Sequence, residues 1–414
     1  MTPRAITATL TAAVTVVLAA CEAGEDAQRT VVCVPVYGQS LALGEEAVRL
    51  TDLDVLATAA DGRIVTERLD HNHGYYDPDE TKAVVKRLLR CDRRSFELSA
   101  YAMALDLTAL LGRDTLVCTF ARGQGATPYA GISRGTPPYR QLLRAIGQAC
   151  RESRRRRWRF VVPAVCWMHG ETDMERRTPG DYRQSLRQFA ADINADVKAI
   201  TGQEEPVSIV CYQTCQLTMA HHFVPTAYDC PELRVPQAQM LQLRDDPLFW
   251  ASTPVYPFTF AHEGIHLSAE GQQQVGHYAA RAVTAIVRGE QRQRGLLPTG
   301  VSRTDSTVTV TLSVPCPPLV ADSVSVAPAR CLGFSVISPE GRDIARTATI
   351  SGNSVVIGID SRAQHRQGPL SVRYAVCGEA DTTGPERGPR GNLHDSAPDA
   401  LPNWCHMFSL TTDE

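Results

Sequence analysis

Short apolar runs that end in polar, glycine-containing turns, separated by stretches of helical spacing, constrain this chain more than any other feature. The first run, Val31-Val32-Cys33-Val34-Pro35-Val36, leads straight into Tyr37-Gly38-Gln39-Ser40. Beyond it the apolar spacing predicts helices over 79–89 and 96–111, a strand over 115–120, a helix over 139–151 and a strand over 160–167. A helix over 181–200, a strand over 207–212 and helices around 237–243 and 272–287 follow. Crossovers of this length join parallel strands. The pattern is therefore that of an α/β domain with a parallel sheet, whose ligand site belongs at the carboxyl ends of the strands.

The strand ends carry the chemistry. Ser40 sits on a turn beside Gly38, where a hydroxyl is held clear of the sheet; its bland alternative is a cap for the helix that follows. Far downstream, in His262-Glu263-Gly264-Ile265-His266-Leu267-Ser268, Glu263 and His266 stand three residues apart. At that spacing a carboxylate can fix the tautomer of an imidazole and leave its other nitrogen for a serine hydroxyl. A third apolar run ends in Cys166-Trp167-Met168-His169-Gly170-Glu171-Thr172-Asp173, and a fourth in Arg122-Gly123-Gln124-Gly125-Ala126-Thr127. Glycine in that last loop lets backbone approach a ligand with its N–H exposed, as an oxyanion donor requires. The loop lacks the lysine and spacing of a phosphate loop, and Gly38-Gln39-Ser40-Leu41-Ala42 is not the Gly-x-Ser-x-Gly of an α/β-hydrolase elbow.

Taken together, Gly38-Gln39-Ser40, Trp167-Met168-His169-Gly170-Glu171-Thr172-Asp173 and Glu263-Gly264-Ile265-His266-Leu267 resemble the SGNH hydrolase superfamily, and within it the sialate O-acetylesterase-type carbohydrate esterases. The resemblance covers roughly residues 30–290. It implies a flavodoxin-like three-layer α/β/α fold, acetyl-ester hydrolysis with Ser40 as nucleophile, His266 as base and Glu263 as its orienting acid, and no metal or cofactor. It also implies an oxyanion hole from the N–H groups of Ser40 and Gly125 with help from the side chain at His169, and a supporting place for Glu171 beneath the site. The sequence departs from the family's pattern at two of these positions, with His169 in place of glutamine and Glu263 in place of aspartate.

Composition fits an ordinary globular protein: 414 residues, 43% hydrophobic and 21% charged. A net charge of −3 gives no electrostatic reason to expect nucleic acid. The one basic run, Arg154-Arg155-Arg156-Arg157-Trp158-Arg159, follows a predicted helix and reads as a solvated turn favoured by the helix dipole. Of the 13 cysteines, Cys33, Cys118, Cys166 and Cys211 fall inside buried runs, where cysteine serves as a small apolar side chain; Cys211 and Cys215 could instead form a local disulfide. No Cys-x-x-Cys pair occurs, and His71, His73, His221 and His222 read as loop histidines rather than metal ligands.

The first residues bear on localisation. Ala5 to Ala20 is apolar but short for a membrane span, and Leu18-Ala19-Ala20-Cys21 with a polar run after it has the form of a lipoprotein signal. That reading makes 1–21 a signal peptide with Cys21 lipidated, and places the protein outside the cytoplasm of a bacterium on a lipid anchor or secreted. Its alternative is an amphipathic helix carrying Ile6, Leu10, Val14 and Val17 on one face, in a cytoplasmic or phage-associated protein.

After the last predicted helix the character changes. Residues 291–304, with Gly295, Pro298 and Gly300, read as a linker, and 305–414 as a small all-β sandwich of short alternating segments. Its segment Arg390-Gly391-Asn392-Leu393-His394-Asp395-Ser396 resembles a recurring piece of β-domains attached to such esterases; no catalytic set occurs in it. Because every candidate catalytic group precedes Pro298, a fragment ending there is expected to keep activity on small esters. The expected function is removal of O-acetyl groups from sialic acid or an acetylated polysaccharide through an acetyl-enzyme. The alternatives are a catalytically degenerate carbohydrate-binding or phage-type structural module, and a lipid or thioester hydrolase on the same fold.

Overall fold

The computed structural model describes residues 29–58, 62–67, 88–89, 96–175, 181–215, 233–262, 264–360, 368–379, 382–398 and 400–412. Cys21, Glu263 and the four loop histidines lie outside these residues, as does most of the helix expected over 79–89, whose last two residues form a strand.

The first apolar run forms β1 (Thr30–Cys33) and β2 (Val36–Gly38). The remaining strands of this region are β3 (Ile64–Glu67), β4 (Leu88–Leu89), β5 (Thr115–Cys118), β6 (Ala121–Gly123), β7 (Arg159–Val161), β8 (Ala164–Met168), β9 (Ser208–Gln213) and β10 (Phe249–Pro254). Pro35 and Pro163 have no N–H to give a ladder, and each marks a break between two strands of one run. Hydrogen bonds still cross the breaks: Val34 N–H to the Cys118 carbonyl (2.8 Å), Val36 N–H to Phe120 (2.8 Å) and Cys166 N–H to Pro35 (2.9 Å). The order across the sheet is β4, β3, β5/β6, β1/β2, β7/β8, β9, β10, with every pairing parallel except β3 with β4. The chain thus starts at β1/β2, builds one side through β3 and β5/β6, then crosses to build the other. Such a reversal of strand order opens a crevice at the carboxyl ends beside the first strand.

Helices follow the expected spacing. Ser99–Leu110 packs along Ala269–Arg288, while Tyr182–Thr201 packs against both Pro137–Arg155 and Arg234–Asp245. The first contact depends on Gly276, where a Cβ would lie 2.3 Å from the Ser99 carbonyl oxygen. The second group covers a cluster of aromatic side chains in which Tyr37 stacks on Phe189 (centroids 5.8 Å apart) and Trp167 lies 4.3 Å from Phe189. Asp181 and Ser268 cap their helices by accepting from Gln184 N–H and Gly271 N–H, each at 3.1 Å. Cys211 and Cys215 are separate buried thiols, not a disulfide, and Cys33, Cys118 and Cys166 are free and buried in the strands. No helix among the described residues is long and apolar enough to cross a membrane.

The carboxyl-terminal region is built from antiparallel sheets. One is ordered β11 (Leu297–Arg303), β12 (Thr307–Ser313), β16 (Ser354–Ile359), β15 (Ala345–Ser351). A second is ordered β14 (Phe334–Ile337), β17 (Ser371–Tyr374), β19 (Phe408–Thr411), and β13 (Val320–Ala321) pairs with β18 (Leu393–His394). Half of the stretch read as a linker over 291–304 is strand. Pro298 and Gly300 hid it, yet β11 lies on a sheet edge, where a missing N–H is tolerated, and its register shifts at those two residues. The Arg390–Ser396 segment is a structural hub. Asp395 accepts from Cys316 N–H (2.9 Å), Asn403 N–H (2.8 Å) and the Asn403 side chain (2.7 Å), and Asn392 joins Ala329 N–H (2.7 Å) to the Asp322 carbonyl (2.8 Å).

The two regions share one hydrophobic core. Gln213, at the end of β9, donates to the Met407 carbonyl (2.9 Å) and accepts from Met407 N–H (2.7 Å). Gln237 makes the same pair of bonds with Ser409 (3.0 and 2.9 Å), and Tyr278 donates to the Pro402 carbonyl (2.7 Å). At this junction the His406 imidazole is fully buried against Gly295, with neither ring nitrogen hydrogen-bonded among the described residues, and burial pushes its pKa down to about 4.

Candidate active site

Three strand ends meet because two glycines let them. A Cβ on Gly38 would lie 1.8 Å from the Met168 carbonyl oxygen, and one on Gly123, at φ 149°, would lie 1.9 Å from that of Gly38. Backbone bonds then lock the loops: Gln39 N–H donates to Met168 (3.1 Å) and Gln124 N–H to Gly38 (3.2 Å). The Gln39 side-chain oxygen faces the N–H groups of Gly170 and Thr172 at 3.5 and 3.4 Å.

Ser40 is the first residue of a short 3-10 helix, Ser40–Leu43, and is 4% exposed. Gly125 is buried in the neighbouring loop, with its carbonyl accepting from Thr127 Oγ1 at 2.8 Å. Among the described residues no backbone carbonyl is paired with the N–H of Ser40 or of Gly125. The structure thus sets the expected nucleophile and the expected donor loop side by side at the crevice.

His266 reaches the same place from the far end of the chain. It closes a tight turn in which Ala261 N–H donates to its carbonyl (2.7 Å), Gly264 N–H donates to Ala261 (2.9 Å) and Phe260 bridges Leu267. Gly264, at φ 73°, occupies the left-handed region that the turn demands. Gln272 fixes the helix after the turn: its Nε2 donates to the Leu41 carbonyl at 2.8 Å and its Oε1 accepts from Ser99 N–H at 3.2 Å. The His266 Nε2 lies 3.7 Å from Oε2 of Glu45, whose own N–H donates to the Ser40 carbonyl at 3.1 Å. Ser40 and His266 are therefore tied to one turn.

His169 is placed differently from the expectation of an oxyanion donor. Its ring is fully buried, with Nε2 2.9 Å from the Thr127 carbonyl oxygen and Nδ1 2.9 Å from the Tyr182 hydroxyl. A nitrogen facing a carbonyl must carry the proton, so Nε2–H is committed to the Gly125–Thr127 loop and Nδ1 to Tyr182. Burial lowers the pKa of His169 despite Asp173, whose Oδ2 is 3.6 Å from Nε2. Glu171 is also fully buried. Its Oε1 accepts from the Tyr212 hydroxyl, its Oε2 has no hydrogen-bond partner among the described residues, and burial followed by this carboxylate holds the Tyr212 phenol well above its usual range.

Sequence reasoning missed Glu45, Gln239 and Gln272. Gln239 donates to the His169 carbonyl (3.0 Å) and accepts from Thr214 N–H (3.0 Å). For Glu45 the signal was present, since Gly44 can close a turn and bring the fifth residue after Ser40 back to it; the two glutamines look like ordinary helix residues. Among the described residues no cluster of three or more His, Cys, Asp or Glu could hold a metal ion.

Neither a protein-family model nor a curated protein matches this sequence. Solved structures do. XAC1771, a carbohydrate acetylesterase from Xanthomonas citri, superposes with a TM-score of 0.62 at 17% identity over 92% of this chain and 80% of its own. NanS covers 63% of this chain and 97% of its own at a TM-score of 0.42 and 15% identity. The match to XAC1771 runs through both the parallel sheet and the antiparallel region, and the chain shares its fold with that acetylesterase.

Proposed function

We propose that the protein is a serine esterase that removes O-acetyl groups from a carbohydrate, such as sialic acid or an acetylated polysaccharide. The observation that carries this reading is the 3.7 Å approach of His266 to Glu45, on the turn that Ser40 opens, with Gln124 of the glycine loop bonded to Gly38 beside it. The fold shared with a carbohydrate acetylesterase supports the substrate class. In this reading the two helix groups cover opposite faces of the sheet in a flavodoxin-like three-layer arrangement.

His266 takes the proton of the Ser40 hydroxyl as the oxygen attacks the acetyl carbonyl carbon, and Glu263 orients the imidazole and stabilises its charged form. The N–H groups of Ser40 and Gly125 receive the oxyanion. The intermediate collapses with cleavage of the bond to the sugar oxygen, which takes the proton from His266. Water, deprotonated by the same histidine, then attacks the acetyl-Ser40 ester and releases acetate. His169 acts at one remove, holding the Thr127 carbonyl so that the Gly125 N–H stays aimed at the oxyanion. Glu171 supports the floor of the site through Tyr212.

The test is acetate release from a panel of acetylated glycans, alongside short- and long-chain chromogenic esters, for the wild type and Ser40→Ala. Wild-type turnover confined to acetyl esters and lost in Ser40→Ala is expected. Preference for long acyl chains would replace the reading with a lipid or thioester hydrolase. Glycan binding with equal background hydrolysis in both proteins would replace it with a binding module.

A further inference from the structure

We propose that Glu45 is a positioning residue for the base of the reaction, a second carboxylate that holds the His266 ring from the side of the nucleophile. The inference rests on the serine-esterase reading of the site and deepens it. The Glu45 Oε2 to His266 Nε2 separation of 3.7 Å is within ion-pair reach and just beyond a direct hydrogen bond, and the two side chains are only 10% and 14% exposed. Glu45 belongs to the nucleophile's own turn. Gly44 N–H donates to Leu41 and Glu45 N–H to Ser40, and Gly44, at φ 70°, lies where a Cβ would be 2.1 Å from the Glu97 carbonyl oxygen. The turn that carries Glu45 cannot move away without displacing Ser40.

Glu97 fixes the far end of the same stretch. Its fully buried carboxylate accepts from the N–H groups of Leu50 (2.9 Å) and Thr51 (2.8 Å) and from the Thr51 hydroxyl (2.5 Å). Gln273, on the helix that follows His266, donates to it as well at 3.2 Å. Nucleophile, Glu45 and the histidine-bearing element are thus clamped into one frame. An anionic carboxylate beside an imidazole that becomes cationic during attack stabilises the charged form, and more so where water is scarce. Glu45 therefore favours the state of His266 that exists only after proton transfer, which affects kcat more than substrate binding.

The experiment compares wild type, Glu45→Gln, Glu45→Asp and Ser40→Ala on a chromogenic acetate ester, with thermal midpoints recorded for each. Glu45→Gln, which keeps size and loses charge, is expected to lower kcat roughly 10- to 100-fold with KM within about twofold. Glu45→Asp, which keeps the charge at shorter reach, should recover a substantial part of the loss. Wild-type kcat in Glu45→Gln would overturn the inference, as would equal losses in Gln and Asp, which would mark a packing role. Should Glu45→Gln fail to fold, Glu45→Met, which also keeps size and loses charge, takes its place and is read against Glu45→Asp in the same way: a larger kcat loss in Met than in Asp supports the inference, and equal losses or none overturn it. Activity surviving in Ser40→Ala would instead overturn the serine-esterase reading itself.

Discussion

His169 Nε2 lies 2.9 Å from the carbonyl oxygen of Thr127, so the imidazole at the end of β8 braces the glycine loop at the end of β6. Replacing it should therefore act on the oxyanion loop rather than remove an oxyanion donor. His169→Ala is expected to lower kcat about 10- to 100-fold with little change in KM, because the loop loses a buried bond and gains a cavity. His169→Gln, whose amide N–H can reach a carbonyl, should retain more activity than His169→Ala. Equal loss in both, with unchanged stability, would show that the histidine itself touches the reacting acyl group.

Two glutamates compete for the role of orienting acid, and the surroundings of one of them, Glu171, argue against it. Glu171 is committed to Tyr212 beneath the site. Glu263→Gln is expected to lower kcat on the order of a hundredfold, with the fold intact. Glu171→Gln should cost less in kcat and more in unfolding free energy. Near-normal turnover in Glu263→Gln together with collapse of activity in a folded Glu171→Gln would reverse the assignment.

A fragment ending near Pro298 looked self-sufficient from the sequence, since the candidate groups precede it. The structure argues otherwise. Gln213 and Gln237 each bond the backbone of the last strand region, and Gly264 in the histidine turn sits where a Cβ would be 3.0 Å from Thr383 Oγ1 of the β-region. The truncated chain is expected to aggregate or to unfold at markedly lower temperature, with loss of esterase activity. Within the full chain Gln213→Ala should cost about 2 kcal/mol or more in unfolding free energy, by leaving buried backbone groups of Met407 unpaired. A soluble, active fragment would contradict this.

The buried His406 gives stability a specific pH dependence. Its folded pKa, near 4, lies below the value of roughly 6.5 in an unfolded chain. Between these values the unfolded chain takes up a proton that the folded protein refuses, so stability is full above about pH 6.5 and falls as pH drops toward 4. The loss is on the order of 3 kcal/mol, levelling off below the folded pKa. His169, buried and lowered in the same direction, adds to the slope. Denaturant unfolding of wild type and His406→Gln across this range isolates the contribution: the variant's curve should be flatter, and parallel curves would contradict the account.

Much of the parallel sheet was legible because its strands are continuous apolar runs and their crossovers have clear helical spacing. The strand β10 (Phe249–Pro254) escaped, since Phe249-Trp250-Ala251-Ser252-Thr253-Pro254 carries polar residues and ends in proline. Strand β11 escaped for a related reason, its alternation broken by Pro298 and Gly300. Ser40 and His266 stand out in the sequence because each lies in a compact local pattern. The bond between His169 and Thr127 and the approach of Glu45 to His266 do not, because each joins residues that only the crossing of the chain about β1/β2 brings together.

The proposed reaction turns on the acetyl-enzyme formed at Ser40. It is tested most directly by reacting the protein with a fluorophosphonate, mapping the modified residue by peptide mass spectrometry, and measuring acetate release from an acetylated glycan before and after. A single adduct on Ser40 is expected, abolished by Ser40→Ala and formed far more slowly in His266→Ala, with acetate release lost in proportion to labelling. Full acetate release from a protein completely labelled at Ser40, or from Ser40→Ala, would contradict it.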